Sequence, residues 1–329
     1  MEVNGDSCRL LYFMNNFETV DQAELKEFQA EERKCTMNNY RIFGEGNVDI
    51  VIEMGLGACI AEWELLANEL SKDHSVLVYE RAGINHSDKS DKERSPSNIA
   101  KELMDLIKEI PHNEKIVVIG HSQGGLYAGE FCGIYPEIIK GLILLDPLSK
   151  DDNRFKKELT TKELKKSGVD KSKNFIILET LARLGLKGLV KRVMCQAPPF
   201  YYADFSREQK EEILNSLVNT THLHTCIEEY RLAHDDAVLQ NMVSKDDYPD
   251  IPIILVTHSS EEAIKENMEF GRNSRPFAVR VEKIWQEIMK EYLDYSERTI
   301  WIQAKKGTHY IHLTEPEIII ESVNEIMKK

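Results

Sequence analysis

The sequence predicts an α/β chain: a mostly parallel sheet covered by helices and interrupted late by a long helical insertion. Three observations carry this. Apolar, β-branched runs recur at 75–79, 116–119, 141–145 and 251–257, without the polar alternation of a half-exposed strand, as strands buried on both faces would. Helix-suited stretches stand between most of them, the order expected of strand–helix–strand units. Finally, 149–248 passes without a strand signal, far too long for a plain connection, and reads as several helices.

In chain order, residues 1–39 form an N-terminal extension, within which 20–34 has helical composition, with Leu25 and Phe28 three apart on one face. The core, 40–148 and 249–329, opens with a strand at 40–43 and a Gly-Glu-Gly-Asn turn. A strand over 48–54 then leads through Gly55-Leu56-Gly57 into a helix over 60–70. After the strand at 75–79, Ser97 or Asn98 caps a helix running to about 110. Pro111-His112-Asn113 breaks it before the run Ile116-Val117-Val118-Ile119. That run enters Gly120-His121-Ser122-Gln123-Gly124-Gly125, and a helix from about 126 to 135 ends at Pro136. The apolar strand 141–145 stops at Asp146-Pro147. The insertion, 149–248, reads as helices over 161–166, 176–193, 207–219 and 222–239. A strand over 251–257, an amphipathic helix over 280–293 and a last strand over 299–303 complete the core. Glu315-Pro316-Glu317 opens the final helix.

Composition narrows the class of partner. Lys and Arg number 42 against 56 Asp and Glu, a formal net charge of −14, which argues against a nucleic-acid partner and against anionic membrane surfaces. Six cysteines are scattered with no C-x-x-C pair, the usage of reduced thiols in a cytosolic protein. The N-terminus is acidic and polar, with neither the basic nor the apolar region of a signal peptide, and no apolar run approaches a membrane span. The expectation is a cytoplasmic protein acting on a small molecule, with its oligomeric state open.

The chemistry centres on Ser122. A serine hydroxyl is a poor nucleophile unless a base removes its proton and the oxygen stands clear of its neighbours. A sharp turn between a buried strand and a helix lifts it, and glycines two positions before and after relieve the crowding. The helix N-terminus also aims free N–H groups at any anion formed there.

On Gly120-His121-Ser122-Gln123-Gly124-Gly125 the chain resembles the α/β-hydrolase superfamily, whose nucleophile elbow has this pattern. The resemblance runs from about Tyr40 to the C-terminus and is weakest between Ser149 and Tyr248. It implies a mostly parallel, doubly wound sheet, with 149–248 as a helical cap over the active site. It makes Ser122 the nucleophile and implies an oxyanion hole from the backbone N–H groups of Leu56 and Gln123. Lys305-Lys306-Gly307-Thr308-His309 matches the family's small residues before its histidine, so His309 is preferred over His312 as the base. Asp146, at the C-terminal end of a parallel strand, is the right residue type to orient a histidine. The family also places its acid after the next strand, where Glu261 and Glu262 are the alternatives. Glu80-Arg81-Ala82-Gly83-Ile84-Asn85 resembles a family loop with Glu80 in place of its aspartate and Asn85 in place of a glycine. Asn tolerates positive φ, and Arg81 is expected to pair with a carboxylate. Pro198-Pro199-Phe200-Tyr201-Tyr202 is either a wall of the acyl pocket or cap-to-core packing. His222 and His224 have the H-x-H spacing of metal ligands but no evident third ligand.

The leading expectation is a serine esterase-like hydrolase, using no cofactor and no metal, that cleaves a small or medium acyl ester through an acyl-enzyme. An amidase, a peptidase, an acyltransferase or a cofactor-free haloperoxidase-like enzyme would use the same parts. Epoxide hydrolases and haloalkane dehalogenases of this fold use a carboxylate nucleophile, and Ser122 argues against them. The alternative of a different class is a non-catalytic ligand receptor or interaction protein on the same fold.

Overall fold

The computed structural model describes residues 38–170 and 172–328, Ser172 by its backbone alone. Of the expected N-terminal extension only Asn38 and Asn39 fall within that range, and the helix expected over 20–34 lies outside it. In chain order the first half runs β1 (Tyr40–Phe43), β2 (Val48–Glu53), α1 (Ile60–Leu70), β3 (Val76–Tyr79), α2 (Pro96–Glu109), β4 (His112–His121), α3 (Gln123–Ile134) and β5 (Ile139–Leu145). The insertion follows as α4 (Arg154–Glu158), α5 (Thr161–Ser167), α6 (Ser172–Arg183), α7 (Lys187–Met194), α8 (Arg207–Ser216), α9 (Thr220–Leu232) and α10 (Asp236–Leu239). The chain returns through β6 (Ile253–Thr257), α11 (Ser260–Glu269), α12 (Arg275–Met289), β7 (Thr299–Gln303), α13 (Ile311–Thr314) and α14 (Pro316–Met327).

The strands form one sheet in the order β1-β3-β2-β4-β5-β6-β7. Among the described strands only β1 runs antiparallel, against β3, and the other neighbours are parallel. Alternate strand residues feed two cores. Val51, Leu77, Val118, Leu142 and Leu255 face α2, α3 and α12. Ile52, Val78, Ile119, Ile143 and Val256 face α1 and α14 on the opposite side. The uninterrupted apolar runs are therefore what two covered faces require. The strand order turns back between β2 and β4, which leaves a crevice at their C-terminal ends. The glycine loop after β2 and the Ser122 turn after β4 open onto that crevice.

Several boundaries differ from the sequence expectation for identifiable reasons. The helix expected over 176–193 is two helices, α6 and α7, because Gly185 turns left-handed at φ +79° between them. The one expected over 222–239 ends at Leu232, and the Asp235 side chain then caps α10 by accepting from Ala237 N. Helix α2 begins at Pro96 with Ser95 at its N-cap position, since a proline suits the first turn. Ser97 instead donates to Glu130 at 2.5 Å. Strand β4 begins at His112, which pairs with Val48, so Pro111 alone separates it from α2 and Ile110.

Candidate active site

Strand β4 delivers Ser122 to the crevice in a conformation few residues adopt, φ +53° and ψ −126°. Such backbone costs on the order of 1–3 kcal/mol and persists only where the surroundings enforce it. The enforcement is visible here. Ser122 N–H donates to Leu145 O at 3.0 Å, and its carbonyl accepts from Leu148 N at 2.8 Å and Gly125 N at 2.9 Å. The flanking glycines permit close approach. A Cβ on Gly120 would lie 2.5 Å from Ala128 Cβ, and one on Gly124 would lie 2.3 Å from the carbonyl oxygens of Glu53 and Met54. The start of α3 therefore rests directly on the end of β2.

Asp146, the residue after β5, is also left-handed at φ +47° and is anchored by its N–H to Val256 O at 2.8 Å. The loop after β7 brings in His309. The Glu315 carboxylate accepts from Lys306 N at 2.7 Å and Gly307 N at 2.8 Å, and His309 O is bonded to His121 Nε2 at 2.8 Å. The three side chains meet in a line. His309 Nε2 lies 3.0 Å from Ser122 Oγ, and His309 Nδ1 lies 2.6 Å from Asp146 Oδ2. The acid is buried, at 2% side-chain exposure, while the His309 side chain is 30% exposed. The reactive end of the chain thus faces outward and the anionic end is sealed.

Asp146 has a further partner. His258, first residue after β6, donates its backbone N–H to Asp146 Oδ1 at 3.0 Å, and its Nδ1 lies 2.9 Å from Asp146 Oδ2. Its Nε2 lies 2.9 Å from Glu282 Oε2, and its ring stacks on Trp285 with centroids 3.9 Å apart. Burial alone would raise the Asp146 carboxyl. The charge and N–H of His258, with the His309 hydrogen bond, outweigh it and hold Asp146 well below the usual carboxylate range. No motif in the sequence marks either His258 or Glu282. The available signal was position, because His258 heads the loop where the resemblance allowed an acid.

The other sequence candidates are placed as follows. Glu261 and Glu262 occupy the first turn of α11. Glu261 is exposed and Glu262 pairs with Lys265 at 3.3 Å, so the carboxylate brought to His309 Nδ1 is Asp146. His312 is buried and stacked on Trp63 at 4.0 Å, and burial drives its pKa down to about 3. His222 accepts from Asn85 N at 3.1 Å, whereas His224 is half-exposed beside Glu179 at 3.6 Å. The two thus have separate partners. Among the described residues one group, Cys59 with Glu80 and Glu212, brings three potential metal-ligand atoms within 4.8 Å of one another. The Glu80 oxygens there already accept from Asn39 Nδ2, Ile60 N, Asn85 Nδ2 and His86 N. They hold the loop in which Asn85 adopts φ +45°.

Leu56 lies between Gly55 and Gly57. A Cβ on Gly55 would be 3.4 Å from Ser122 Cβ, so this loop runs beside the serine. Arg81 fixes it: the guanidinium donates to Met54 O at 2.6 Å and Gly55 O at 3.3 Å. It also pairs with Glu53 at 2.6 Å and with Glu229 of α9 at 2.8 Å. Gln123 opens α3, and a first-turn N–H has no partner within its own helix. From the insertion, Tyr202 bonds Glu266 and sets its ring 5.3 Å from Tyr310, the neighbour of His309, while Tyr201 is exposed and Phe200 packs on Phe205. No helix among the described residues is long and apolar enough to cross a membrane.

Comparison with known proteins agrees with this architecture. The family model for the alpha/beta hydrolase fold matches residues 50–164. The uncharacterized protein YqjL of Bacillus subtilis is 24% identical over 292 residues, 89% of this chain and 88% of its own. Among solved structures, a variant epoxide hydrolase from Bacillus megaterium aligns with a TM-score of 0.65 at 15% identity, covering 89% of this chain and 97% of that one. A thermophilic esterase from Thermogutta terrifontis aligns with a TM-score of 0.57 at 16% identity, covering 88% and 93%. At such identities the structural likeness bears on fold alone.

Proposed function

We propose that this chain, whose fold is that of the alpha/beta hydrolases, is a serine hydrolase acting on a carboxylic ester of small or medium acyl size. The observation that carries the reading is the hydrogen-bonded line from Ser122 through His309 to Asp146, set at the strand ends beside the glycine loop. His309 Nε2 takes the Ser122 proton as Oγ attacks the acyl carbonyl. The Leu56 and Gln123 N–H groups hold the negative oxygen, and one such donor is typically worth a hundred- to a thousand-fold in rate. Protonated His309 then gives its proton to the leaving oxygen, and water repeats the cycle on the acyl-enzyme. Asp146 keeps the Nδ1 proton in place and stabilises the charged ring. The 149–248 insertion serves as the cap, its Tyr202 reaching the His309 loop.

The structural neighbours include epoxide hydrolases, but a serine at the elbow supports acyl transfer, since an epoxide hydrolase of this fold attacks with a carboxylate there. The test is a fluorophosphonate probe beside an ester panel graded by acyl length. Stoichiometric labelling that disappears in Ser122→Ala, with turnover peaking at short or medium esters, is the expected result. Folded protein that takes no label would overturn the reading and favour a ligand receptor.

A further inference from the structure

We infer that His258 and Glu282 are positioning residues of the proposed reaction, extending the hydrogen-bonded line beyond Asp146 and setting the basicity of His309. The inference rests on the serine hydrolase reading and deepens it. Its ground is that both nitrogens of one buried imidazole face carboxylate oxygens: Nδ1 lies 2.9 Å from Asp146 Oδ2 and Nε2 lies 2.9 Å from Glu282 Oε2. An ionised carboxylate only accepts hydrogen bonds, and a neutral imidazole has one N–H and one lone pair. A neutral His258 would therefore turn a lone pair against one of the two acids. The geometry calls for an imidazolium with both N–H groups donating. Glu282 is itself fixed, accepting from Gln286 Nε2 at 2.8 Å, and Trp285 covers the ring face. Burial pulls His258 down, but Asp146 and Glu282 outweigh it and push its pKa up to about 10.

The consequence falls on His309. A buried carboxylate with no other partner would spend its whole charge on the catalytic imidazole. Here the charge of Asp146 is divided between two imidazoles, and Glu282 returns part of what His258 withdraws. Among the described residues, Glu266 also feels the charge of His258, and Tyr202 is bonded to Glu266. Around His309 stand Ser122, His121, Tyr310, His312 and Glu62. None of these needs to move for the charge sharing to operate.

The experiment measures the rate of fluorophosphonate reaction at Ser122 as a function of pH, which requires no knowledge of the natural substrate. His258→Gln keeps an N–H for Asp146 but removes the positive charge, so the midpoint of the acid limb should rise by about one to two pH units. Glu282→Gln removes a negative charge while keeping an acceptor for Nε2, so the midpoint should fall by a smaller amount. Opposite signs are the mark of an electrostatic role, because mere loosening of the site would not give them. Unchanged midpoints, or shifts in one direction for both variants, overturn the inference while wild-type labelling leaves the hydrolase reading standing. Should circular dichroism show His258→Gln unfolded, Glu282→Gln decides alone: a fall supports the inference and an unmoved midpoint overturns it. Wild-type protein that takes no label at Ser122 overturns the hydrolase reading, and this inference with it.

Discussion

Replacing Asp146 by asparagine should leave the fold in place and nearly abolish reactivity at Ser122, for a reason that can be followed atom by atom. The carboxylate accepts on both oxygens: His258 N donates to Oδ1 at 3.0 Å, His258 Nδ1 lies between the two, 2.8 Å from Oδ1 and 2.9 Å from Oδ2, and His309 Nδ1 sits 2.6 Å from Oδ2. An asparagine has one acceptor oxygen, and the His258 side, with its two donors, claims it. The NH2 group is then left facing His309 Nδ1 and donates to it. That places the ring proton on Nε2, against Ser122 Oγ, where a lone pair is needed to take the serine proton. Loss of the usable tautomer in a triad costs about ten thousand-fold, or about 5 kcal/mol of barrier. Leaving His258 with one carboxylate also costs roughly 3 kcal/mol of stability, so urea unfolding should accompany the rate measurement. The assay is release of nitrophenol from a short nitrophenyl ester under conditions where the variant is folded. Turnover within tenfold of wild type in folded Asp146→Asn would refute the argument and transfer the acid role elsewhere.

Two further outcomes are expected. Gly124→Ala would set a methyl group 2.3 Å from the Glu53 and Met54 carbonyl oxygens, so the start of α3 must move and take Gln123 N–H with it. Ester turnover should fall at least a hundred-fold, with a smaller effect on the melting temperature, and retained turnover would remove Gln123 from the oxyanion hole. The pH dependence of stability follows from His258. Its pKa is raised on folding from an ordinary value of 6.5 to about 10, so its contribution is full below 6.5 and gone above about 10. Denaturant stability of the wild type should therefore decline between pH 7 and 10 more steeply than that of His258→Gln, and parallel slopes would contradict this.

The sequence made the sheet legible because its strands are covered twice. Runs such as Ile116-Val117-Val118-Ile119 admit few other readings, and the glycines around Ser122 marked the turn by the crowding they avoid. The fold class followed from these features, and Asn85 at φ +45° matches the loop expected around it. What stayed hidden depends on contacts between distant segments. Nothing near Arg81 announces Glu229, 148 positions on, and nothing near Asp146 announces His258 or Glu282. The choice between Asp146 and the Glu261 and Glu262 pair could not be made from spacing, since both positions follow adjacent strands. In the fold the two positions differ in depth, Asp146 being buried beside His309 and Glu261 exposed. Two errors did have local signals: Gly185 inside an apparent helix, and Pro96, which fits the first turn of α2 and so points to Ser95 at its N-cap position.

Arg81 has an implication for anyone who would re-engineer this molecule. One guanidinium, almost wholly out of solvent, simultaneously clasps the loop that carries Leu56 and a glutamate of α9. Excising the inserted helices wholesale would strip that cation of its Glu229 partner, leave Glu53 as its carboxylate, and loosen the very backbone proposed to receive the oxyanion. A viable graft would exchange the stretch before Thr220 and retain α9 as a keystone shared by both halves.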